Sequence, residues 1–213
     1  MGTTPDRTDH YFAENPDAAS RRRTVDLTLP DITLHLTTDS GVFAGDAVDP
    51  GTKYLLAEGP LVTADRSPSG DPASEKPLTI VDLGCGYGPI AVTLARRHPD
   101  ATIWAVDVNR RALDLTAENA AATDVAVLTM TPDEVPEGSV DEIWSNPPIR
   151  VGKTALHELL ETWIGRLTPE GRALLVVNRN LGADSLAKWM TGRGWSVERV
   201  GSRQGYRILE VRP

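Results

Sequence analysis

The sequence lacks the features that mark secreted, membrane-spanning or metal-binding proteins. Its 213 residues include a single cysteine, Cys85, so no internal disulfide can form and a reducing cytoplasm is the expected compartment. No apolar run reaches the roughly 18 residues that a membrane-spanning helix needs, and the polar N-terminus has no apolar secretory core. The chain also has no cluster of metal-ligand residues. We therefore expect a cytoplasmic protein without a membrane span or a metal site.

The sequence also has no excess of basic residues. It has 22 Lys+Arg against 30 Asp+Glu, a net charge of −8, which argues against nonspecific binding to nucleic acid. The charge is uneven, because residues 150–213 carry 11 basic and 6 acidic side chains, a net charge of +5. This segment permits a local site for a polyanion, although charges spread over a solvated surface would give the same count.

The N-terminal part is expected to be an extension packed on a larger core. Alternating apolar and polar residues from Arg22 to Asp39 predict a β-hairpin, and TKYLLAEGPL predicts a short helix. Residues 63–77 are rich in Pro, Ser, Asp and Gly, which predicts a flexible surface loop. We divide the chain accordingly into an extension (1–62), this loop, and a core (78–213).

Beyond Leu78, apolar strand-like segments alternate with helical ones of roughly 10–15 residues, a pattern typical of a parallel α/β sheet. SVERVGSRQGYRILEVR at the C-terminus predicts an antiparallel strand pair. The predicted fold is Rossmann-like α/β, with a mostly parallel seven-stranded sheet, helices on both faces and the N-terminal hairpin. The five preceding strands are expected in LTIVDLG, ATIWAVDVN, VAVLTM, VDEIWSNPP and GRALLVVN.

A glycine-rich turn, VDLGCGYGP, joins the first core strand to a helix. Gly84, Gly86 and Gly88 allow a tight turn and a close ligand approach, at the strand end where ligands of such sheets bind. Asp82 precedes the glycines and is a candidate acceptor for a positively charged amine. Pro89 replaces the third glycine of G-x-G-x-x-G, so the turn is less suited to the pyrophosphate of a dinucleotide.

A second acid ends the next strand. Asp107 lies 25 residues after Asp82. An acid about 20 residues past such glycines can accept hydrogen bonds from both hydroxyls of a ribose. The alternative is an ordinary aspartate capping the following helix.

The segment SNPPIR, residues 145–150, stops the strand VDEIW. Neither proline has an N–H to donate, and the residue before each proline is extended, so the sequence predicts a stiff bend with free carbonyl groups. In the predicted sheet this bend lies beside the glycine turn. There the Asn146 Oδ1 atom and the Pro147 carbonyl can both accept hydrogen bonds from one NH2 group. Taken alone, Asn-Pro-Pro would also fit a merely rigid turn.

Together, D-x-G-x-G-x-G, the acid one strand later and N-P-P-I resemble class I S-adenosylmethionine-dependent methyltransferases that methylate a planar exocyclic nitrogen. HYFAENPDAAS, TDSGVFAGDAVDPGTK, SNPPIRVGK, GADSLAKWM and GYRIL are similar to the "small-domain" group. That group includes guanine-N2 methyltransferases of ribosomal RNA and their single-domain archaeal relatives. The resemblance covers nearly the whole chain except the loop at 63–77. It implies S-adenosylmethionine as the cofactor and ribosomal RNA, or the small ribosomal subunit, as the partner.

The resemblance also implies roles for individual residues. Asn146, Pro147 and Pro148 would be catalytic, with two acceptors holding the N–H bonds of the target amine so that no strong base is needed. Ile149 and Arg150 would contact the substrate. The cofactor would contact Asp82, Gly84, Cys85, Gly86, Gly88, Asp107, Val108, Met130, Thr131 and Asn146.

The chain departs from the family pattern in two places. An aromatic residue usually follows N-P-P and stacks on the target base, whereas Ile149 offers no π-surface. Many relatives read the cofactor adenine with a carboxylate or amide where this chain has Met130 and Thr131; backbone groups or Asp133 are the alternatives. Five basic residues are candidates for contacts with the phosphates of an RNA, although each would also fit a solvated surface: Arg150, Lys153, Arg179, Arg203 and Arg207.

The leading expectation is methylation of guanine N2 in small-subunit ribosomal RNA. The nearest alternative is the same chemistry on another RNA, a glutamine side-chain amide or a small amine. A nicotinamide-dependent oxidoreductase is an alternative of another class, against which Pro89 and the N-P-P turn count. An inactive cofactor-binding module is a further alternative, which the intact acids, glycines and Asn146 disfavour.

Overall fold

The computed structural model describes residues 19–61 and 77–213. The predicted loop therefore lies outside the described residues except for Pro77, as does HYFAENPDAAS except for its last two residues. Within the two described ranges, no helix is long and apolar enough to cross a bilayer, and no three His, Cys, Asp or Glu side chains group as metal ligands.

The predicted N-terminal hairpin is confirmed. Strand β1 (Arg23–Thr28) pairs antiparallel with β2 (Thr33–Thr38), and both strands bury alternate side chains. The side chain of Asn119, in a core helix, accepts from the Thr37 N–H at 2.7 Å and donates to the Thr37 carbonyl at 2.8 Å. The hairpin thus rests on the core through a paired amide contact as well as apolar packing.

Helix α1 (Pro50–Glu58) begins two residues earlier than the sequence analysis predicts. The Asp49 carboxylate caps it by accepting from the Thr52 N–H at 3.0 Å, and the proline at its first position needs no hydrogen-bond partner there. The helix ends at Gly59, where an added Cβ would lie 2.8 Å from the Trp144 ring. The end of α1 therefore sits directly on the sheet.

The seven-stranded sheet is confirmed, and its core strands are β3 (Thr79–Leu83), β4 (Thr102–Val106), β5 (Leu128–Met130), β6 (Val140–Ser145), β7 (Leu167–Asn178), β8 (Ser196–Arg203) and β9 (Tyr206–Arg212). Their order in the sheet is β5-β4-β3-β6-β7-β9-β8. The first five in this order are parallel, and β9 is antiparallel to both of its neighbours. Chain order reverses beside β3, which is where ligands bind in open α/β sheets.

Helices cover both faces of the sheet, as predicted. Helices α2 (Pro89–Arg97) and α3 (Arg110–Ala122) share one apolar cluster with α1 and the hairpin. Helices α4 (Lys153–Ile164) and α5 (Ala183–Gly192) pack in a second cluster on the opposite face. Because both faces are covered, every side chain of the central strand β3 is buried.

A buried ion pair crosses the middle of the sheet. The Arg172 guanidinium on β7 donates to the Glu142 carboxylate on β6 at 2.6 Å and to the Glu210 carboxylate on β9 at 3.1 Å. It also donates to the Pro60 carbonyl, just beyond α1, at 2.6 Å. Glu142 accepts a further hydrogen bond from the Trp144 indole at 2.9 Å. Arg172 therefore ties three neighbouring strands to the end of α1.

Candidate active site

A cavity of about 860 Å³ opens at the carboxyl ends of β3, β4, β6 and β7. Its volume is within the range of roughly 300–1,000 Å³ typical of small-molecule sites. The wall combines the glycine turn, the loop that precedes α1 and the N-P-P turn. Three segments far apart in sequence thus meet at the switch point of the sheet.

The glycine turn forms one wall of the cavity with bare backbone. Gly84 and Gly86 have φ of +76° and +57°, a region that side chains rarely adopt, and both line the cavity. A Cβ atom built on either residue would meet no heavy atom within 4 Å and would occupy open space. These two positions therefore form a cradle in which a ligand can approach the backbone closely.

Two other residues of this turn, also predicted to contact a cofactor, lie behind the wall and do not line the cavity. Cys85 is buried, and its thiol accepts from the Thr116 hydroxyl at 3.6 Å. A Cβ built on Gly88 would lie 2.8 Å from Thr116. Because the start of α2 packs so closely on α3, Gly88 serves helix packing rather than the cavity.

Asp82 is also buried behind the glycine turn, so the structure does not bring its carboxylate to a ligand amine in the cavity. One carboxylate oxygen accepts from the Ala91 N–H at 2.9 Å, and the other has no hydrogen-bond partner among the described residues. Burial raises the pKa of Asp82 to about 8. The carboxyl therefore stays largely protonated in the folded chain at neutral pH.

Asp82→Asn is expected to change how stability depends on pH. The folded state holds a proton on Asp82 that the unfolded chain releases above pH about 4, so wild-type stability falls as pH rises from about 4 to 8. Asparagine does not titrate, so the variant gains stability relative to wild type between pH 5 and pH 8. Urea unfolding at several pH values measures this change. Parallel stability curves for the two proteins would contradict the raised pKa.

Asp107 lies in the cavity wall at the end of β4, as predicted. Its two carboxylate oxygens accept from the Gly86 and Asn109 N–H groups, each at 2.9 Å. Burial raises the pKa of this carboxyl, and the two N–H groups oppose that shift. Each oxygen keeps a lone pair, so the group can accept from the two hydroxyls of a ribose. Val108, 40% exposed, adds an apolar surface beside it.

Met130 and Thr131, the residues predicted to contact the cofactor, lie at the end of β5. Neither residue lines the cavity, whereas Pro132 does. The Thr131 N–H donates to the Glu134 carboxylate at 2.9 Å, which turns this segment back on itself. The wall at this point is an apolar ring without an N–H donor.

The side chain of Asn146 is held in one orientation by the start of α1. Its NH2 group donates to the Asp49 carboxylate at 2.7 Å and to the Thr52 hydroxyl at 3.0 Å. Because a carboxylate can only accept, the NH2 must face Asp49, and Oδ1 is left as the acceptor for a ligand. The sequence analysis missed Asp49 and Thr52, although Asp-Pro-Gly-Thr is a recognisable helix start.

The prediction of free carbonyl groups in the N-P-P turn is wrong. The Pro147 carbonyl accepts from the Ile149 N–H at 2.8 Å, and the Pro148 carbonyl accepts from the Val151 N–H at 3.1 Å. The second of these bonds closes the 3₁₀ turn over residues 149–151, whereas the first spans only two residues. A carbonyl oxygen has a second lone pair, so Pro147 can still accept from a ligand. Both prolines line the cavity.

The predicted substrate residues Ile149 and Arg150 line the cavity beside these prolines. Of the other basic candidates, Arg203 pairs with Glu58 and Arg207 pairs with Asp184, which weakens their case as phosphate ligands.

The sequence analysis did not predict three further residues of the cavity wall: Asn178, Leu181 and Tyr206. Asn178 ends β7, Leu181 lies in the 3₁₀ turn that follows it (Arg179–Leu181), and Tyr206 begins β9. Only the sheet order brings these strand ends next to β6.

This sheet, with a glycine turn after its first strand, an acid after the next and an Asn-Pro-Pro turn, is that of an S-adenosylmethionine-dependent methyltransferase. A model of the methyltransferase small domain matches residues 33–210, and the chain belongs to that family.

Two relatives of the chain differ in length. The uncharacterized protein YbxB of Bacillus subtilis is 31% identical over 96% of this chain and 98% of its own length. Ribosomal RNA small subunit methyltransferase C of Hahella chejuensis is 33% identical over 70% of this chain, but only 42% of that relative is covered. The chain thus spans less than half of the longer relative.

A solved structure with the same fold is the T. thermophilus 16S rRNA N2 methyltransferase RsmC, in complex with AdoMet and guanosine. It superposes with a TM-score of 0.71 at 22% identity, covering 92% of this chain and 52% of that one. At this identity the likeness shows the fold alone.

Proposed function

We propose that this methyltransferase methylates N2 of a guanine in small-subunit ribosomal RNA. The observation that carries the proposal is the anchoring of Asn146, a cavity-lining residue whose NH2 group donates to Asp49 and Thr52 and which therefore keeps Oδ1 as an acceptor for a ligand. Relatives of this chain are named for methylation of small-subunit ribosomal RNA, and the RsmC complex holds guanosine. An acceptor pair beside a cofactor cradle suits a planar exocyclic amine.

The residues present fit S-adenosylmethionine. The open backbone at Gly84 and Gly86 admits a ligand, Asp107 offers two acceptors for ribose hydroxyls, and Val108 supplies an apolar surface. When bound, the cofactor supplies an electrophilic methyl group on a positively charged sulfur. These residues would hold it at the carboxyl end of β3, next to Asn146.

Asn146 and Pro147 would prepare the amine for attack. An aryl amine is a poor nucleophile because its lone pair is delocalised into the ring. Two acceptors that hold its N–H bonds aim the lone pair, and such positioning contributes several kcal/mol. No strong base is required, because the N–H becomes acidic as the new N–C bond forms. His157 does not line the cavity and instead stacks on Trp189, with ring centroids 3.6 Å apart.

The main expected effect of Asp107→Ala is weaker binding of the cofactor. The variant loses the acceptors for the ribose and releases the Gly86 and Asn109 N–H groups that shape the wall. We expect the Kd for S-adenosylmethionine to rise by about tenfold or more, since hydrogen bonds to a charged group contribute roughly 1.5–3 kcal/mol. Titration calorimetry measures this, and an unchanged Kd would remove Asp107 from the cofactor site.

Asp49→Ser is expected to separate the positioning of Asn146 from the folding of α1. Serine is a good helix cap, so the Thr52 N–H keeps an acceptor, but its shorter side chain cannot reach the Asn146 amide. We expect kcat to fall about tenfold or more with little change in Tm. Asp49→Asn, which keeps an acceptor of the same length, is the matched control and should retain more activity. Equal losses in the two variants would contradict the positioning role.

The test of the proposed function is transfer of labelled methyl from S-adenosylmethionine to undermethylated ribosomal subunits, followed by nucleoside digestion. Large subunits belong in the same experiment, because a ribosomal RNA large subunit methyltransferase G of Photobacterium profundum is 29% identical over 77% of this chain. Label in N2-methylguanosine from the small subunit supports the proposal. If N2-methylguanosine comes from the large subunit alone, the substrate is large-subunit RNA instead. Label in another nucleoside would show that guanine N2 is not the methylated atom.

A further inference from the structure

We propose that Tyr206 supplies the aromatic surface on which the target base lies, a role that Ile149 cannot fill. This inference rests on the proposed function, because it concerns how the same site holds a planar base. Bases taken from RNA are commonly stacked on aromatic side chains, and each such contact strengthens binding. The question is which aromatic residue of this cavity lies near Asn146.

Tyr206 and Asn146 lie on the same face of the sheet. Trp144 of β6 and Ile208 of β9 both belong to the apolar cluster that packs against α1. Side chains two residues apart in a strand share a face, so Asn146 and Tyr206 also face α1. Tyr206 pairs with Asn178 at the end of β7, the strand that lies between β6 and β9.

This register sets the distance between the two residues. Ser145 pairs with Leu175, so Asn146 is level with the next residue of β7, whose partner on β9 is Ile208. Tyr206 lies two residues beyond Ile208, towards the carboxyl end of β7. Two strand spacings of about 4.8 Å and this offset of about 6.6 Å place Asn146 and Tyr206 roughly 12 Å apart. Both line the cavity, as does Asn178, the β7 partner of Tyr206. A planar ring whose amine reaches Asn146 would therefore lie towards Tyr206.

One helix end positions both residues. A Cβ built on Gly51 would lie 2.7 Å from the Tyr206 ring, so the ring packs against the first turn of α1. The same turn holds the Asn146 amide through Asp49 and Thr52. The ring remains partly exposed and lines the cavity.

Phe43 is the other aromatic residue among the described residues of the wall, and it is 48% exposed. Its loop, however, is fastened on the Asp107 side. The Asn109 amide donates to the Gly41 carbonyl at 2.8 Å, and Arg111 donates to the Ser40 carbonyl at 2.8 Å. Phe43 thus belongs to the cofactor side, which leaves Tyr206 for the substrate side.

The test is calorimetric binding of guanosine to the protein loaded with S-adenosylhomocysteine. Tyr206→Leu should weaken guanosine binding about tenfold or more, whereas Tyr206→Phe should bind nearly as wild type. Both variants should keep wild-type affinity for S-adenosylhomocysteine. Adding Ile149→Phe to Tyr206→Leu should restore guanosine binding, which a purely structural tyrosine would not allow. Wild-type affinity in Tyr206→Leu, no restoration by Ile149→Phe, or no guanosine binding to wild type would overturn the inference.

Failure of this inference and failure of the proposed function give different results. If guanosine binding depends on the Tyr206 ring but neither ribosomal subunit yields N2-methylguanosine, the proposed substrate is wrong and the role of Tyr206 stands. If small subunits are methylated at N2 and Tyr206→Leu leaves both guanosine affinity and the KM for subunits unchanged, the function stands and the role of Tyr206 falls.

Discussion

Asn146→Ala is expected to abolish methyl transfer while leaving the Kd for S-adenosylmethionine within about tenfold, or roughly 1.4 kcal/mol. The substitution removes the Oδ1 acceptor that would aim the target amine, but it leaves the glycine cradle and Asp107 in place. Because this interaction is needed to direct the lone pair, its loss should appear in kcat rather than in cofactor affinity. Single-turnover methyl transfer and calorimetric titration measure the two quantities separately.

Two further variants make this prediction specific. Asn146→Asp keeps an acceptor but places a second carboxylate beside Asp49, 2.7 Å from the present amide, so it should also be inactive at neutral pH. Asn180→Ala removes an exposed asparagine and should transfer methyl groups at the wild-type rate. Cofactor affinity that falls in step with activity in Asn146→Ala would contradict the assigned role.

Arg172→Met is expected to lower the free energy of unfolding by about 3–5 kcal/mol, a large share of the total for a domain of this size. The substitution leaves the Glu142 carboxylate buried without its guanidinium partner and removes the hydrogen bond to the Pro60 carbonyl. Breaking one side of a buried pair is costly, because the remaining charge stays uncompensated. Urea unfolding measures the change.

Arg212→Met is the matched control for Arg172→Met. Arg212 also pairs with Glu210, at 2.7 Å, but its side chain is 39% exposed, so its loss should cost no more than about 1 kcal/mol. Glu142→Gln combined with Arg172→Met removes both charges and should recover part of the stability. Equal effects of the two arginine substitutions would show that the buried pair contributes no more than a surface pair.

The fold was largely predictable because its signals are local. Alternating strands and helices predicted the parallel sheet, and the period-2 pattern on both sides of Pro30 predicted the hairpin, as the structure confirms. Element ends were less predictable, since they depend on caps and packing. The expected strand VAVLTM, for example, shortens to Leu128–Met130.

The residues of the site were predictable where a short contiguous motif contains the groups that would bind a ligand. Gly84, Gly86, Asp107 and the N-P-P turn all line the cavity. Cys85 and Gly88 belong to the same motif but lie behind the wall, because a turn exposes only some of its residues to a ligand. The sequence alone does not say which ones.

By itself, then, the sequence determined the class of fold, the glycine turn, the acid after β4 and the asparagine after β6. Only the tertiary structure decided which other residues join these in the cavity. Asp49 reaches Asn146 across 97 positions of the chain. Tyr206 reaches the same cavity only because β9 returns antiparallel beside β7. Such partners are set by strand order and helix packing, which bring together residues whose separation along the chain carries no local signal.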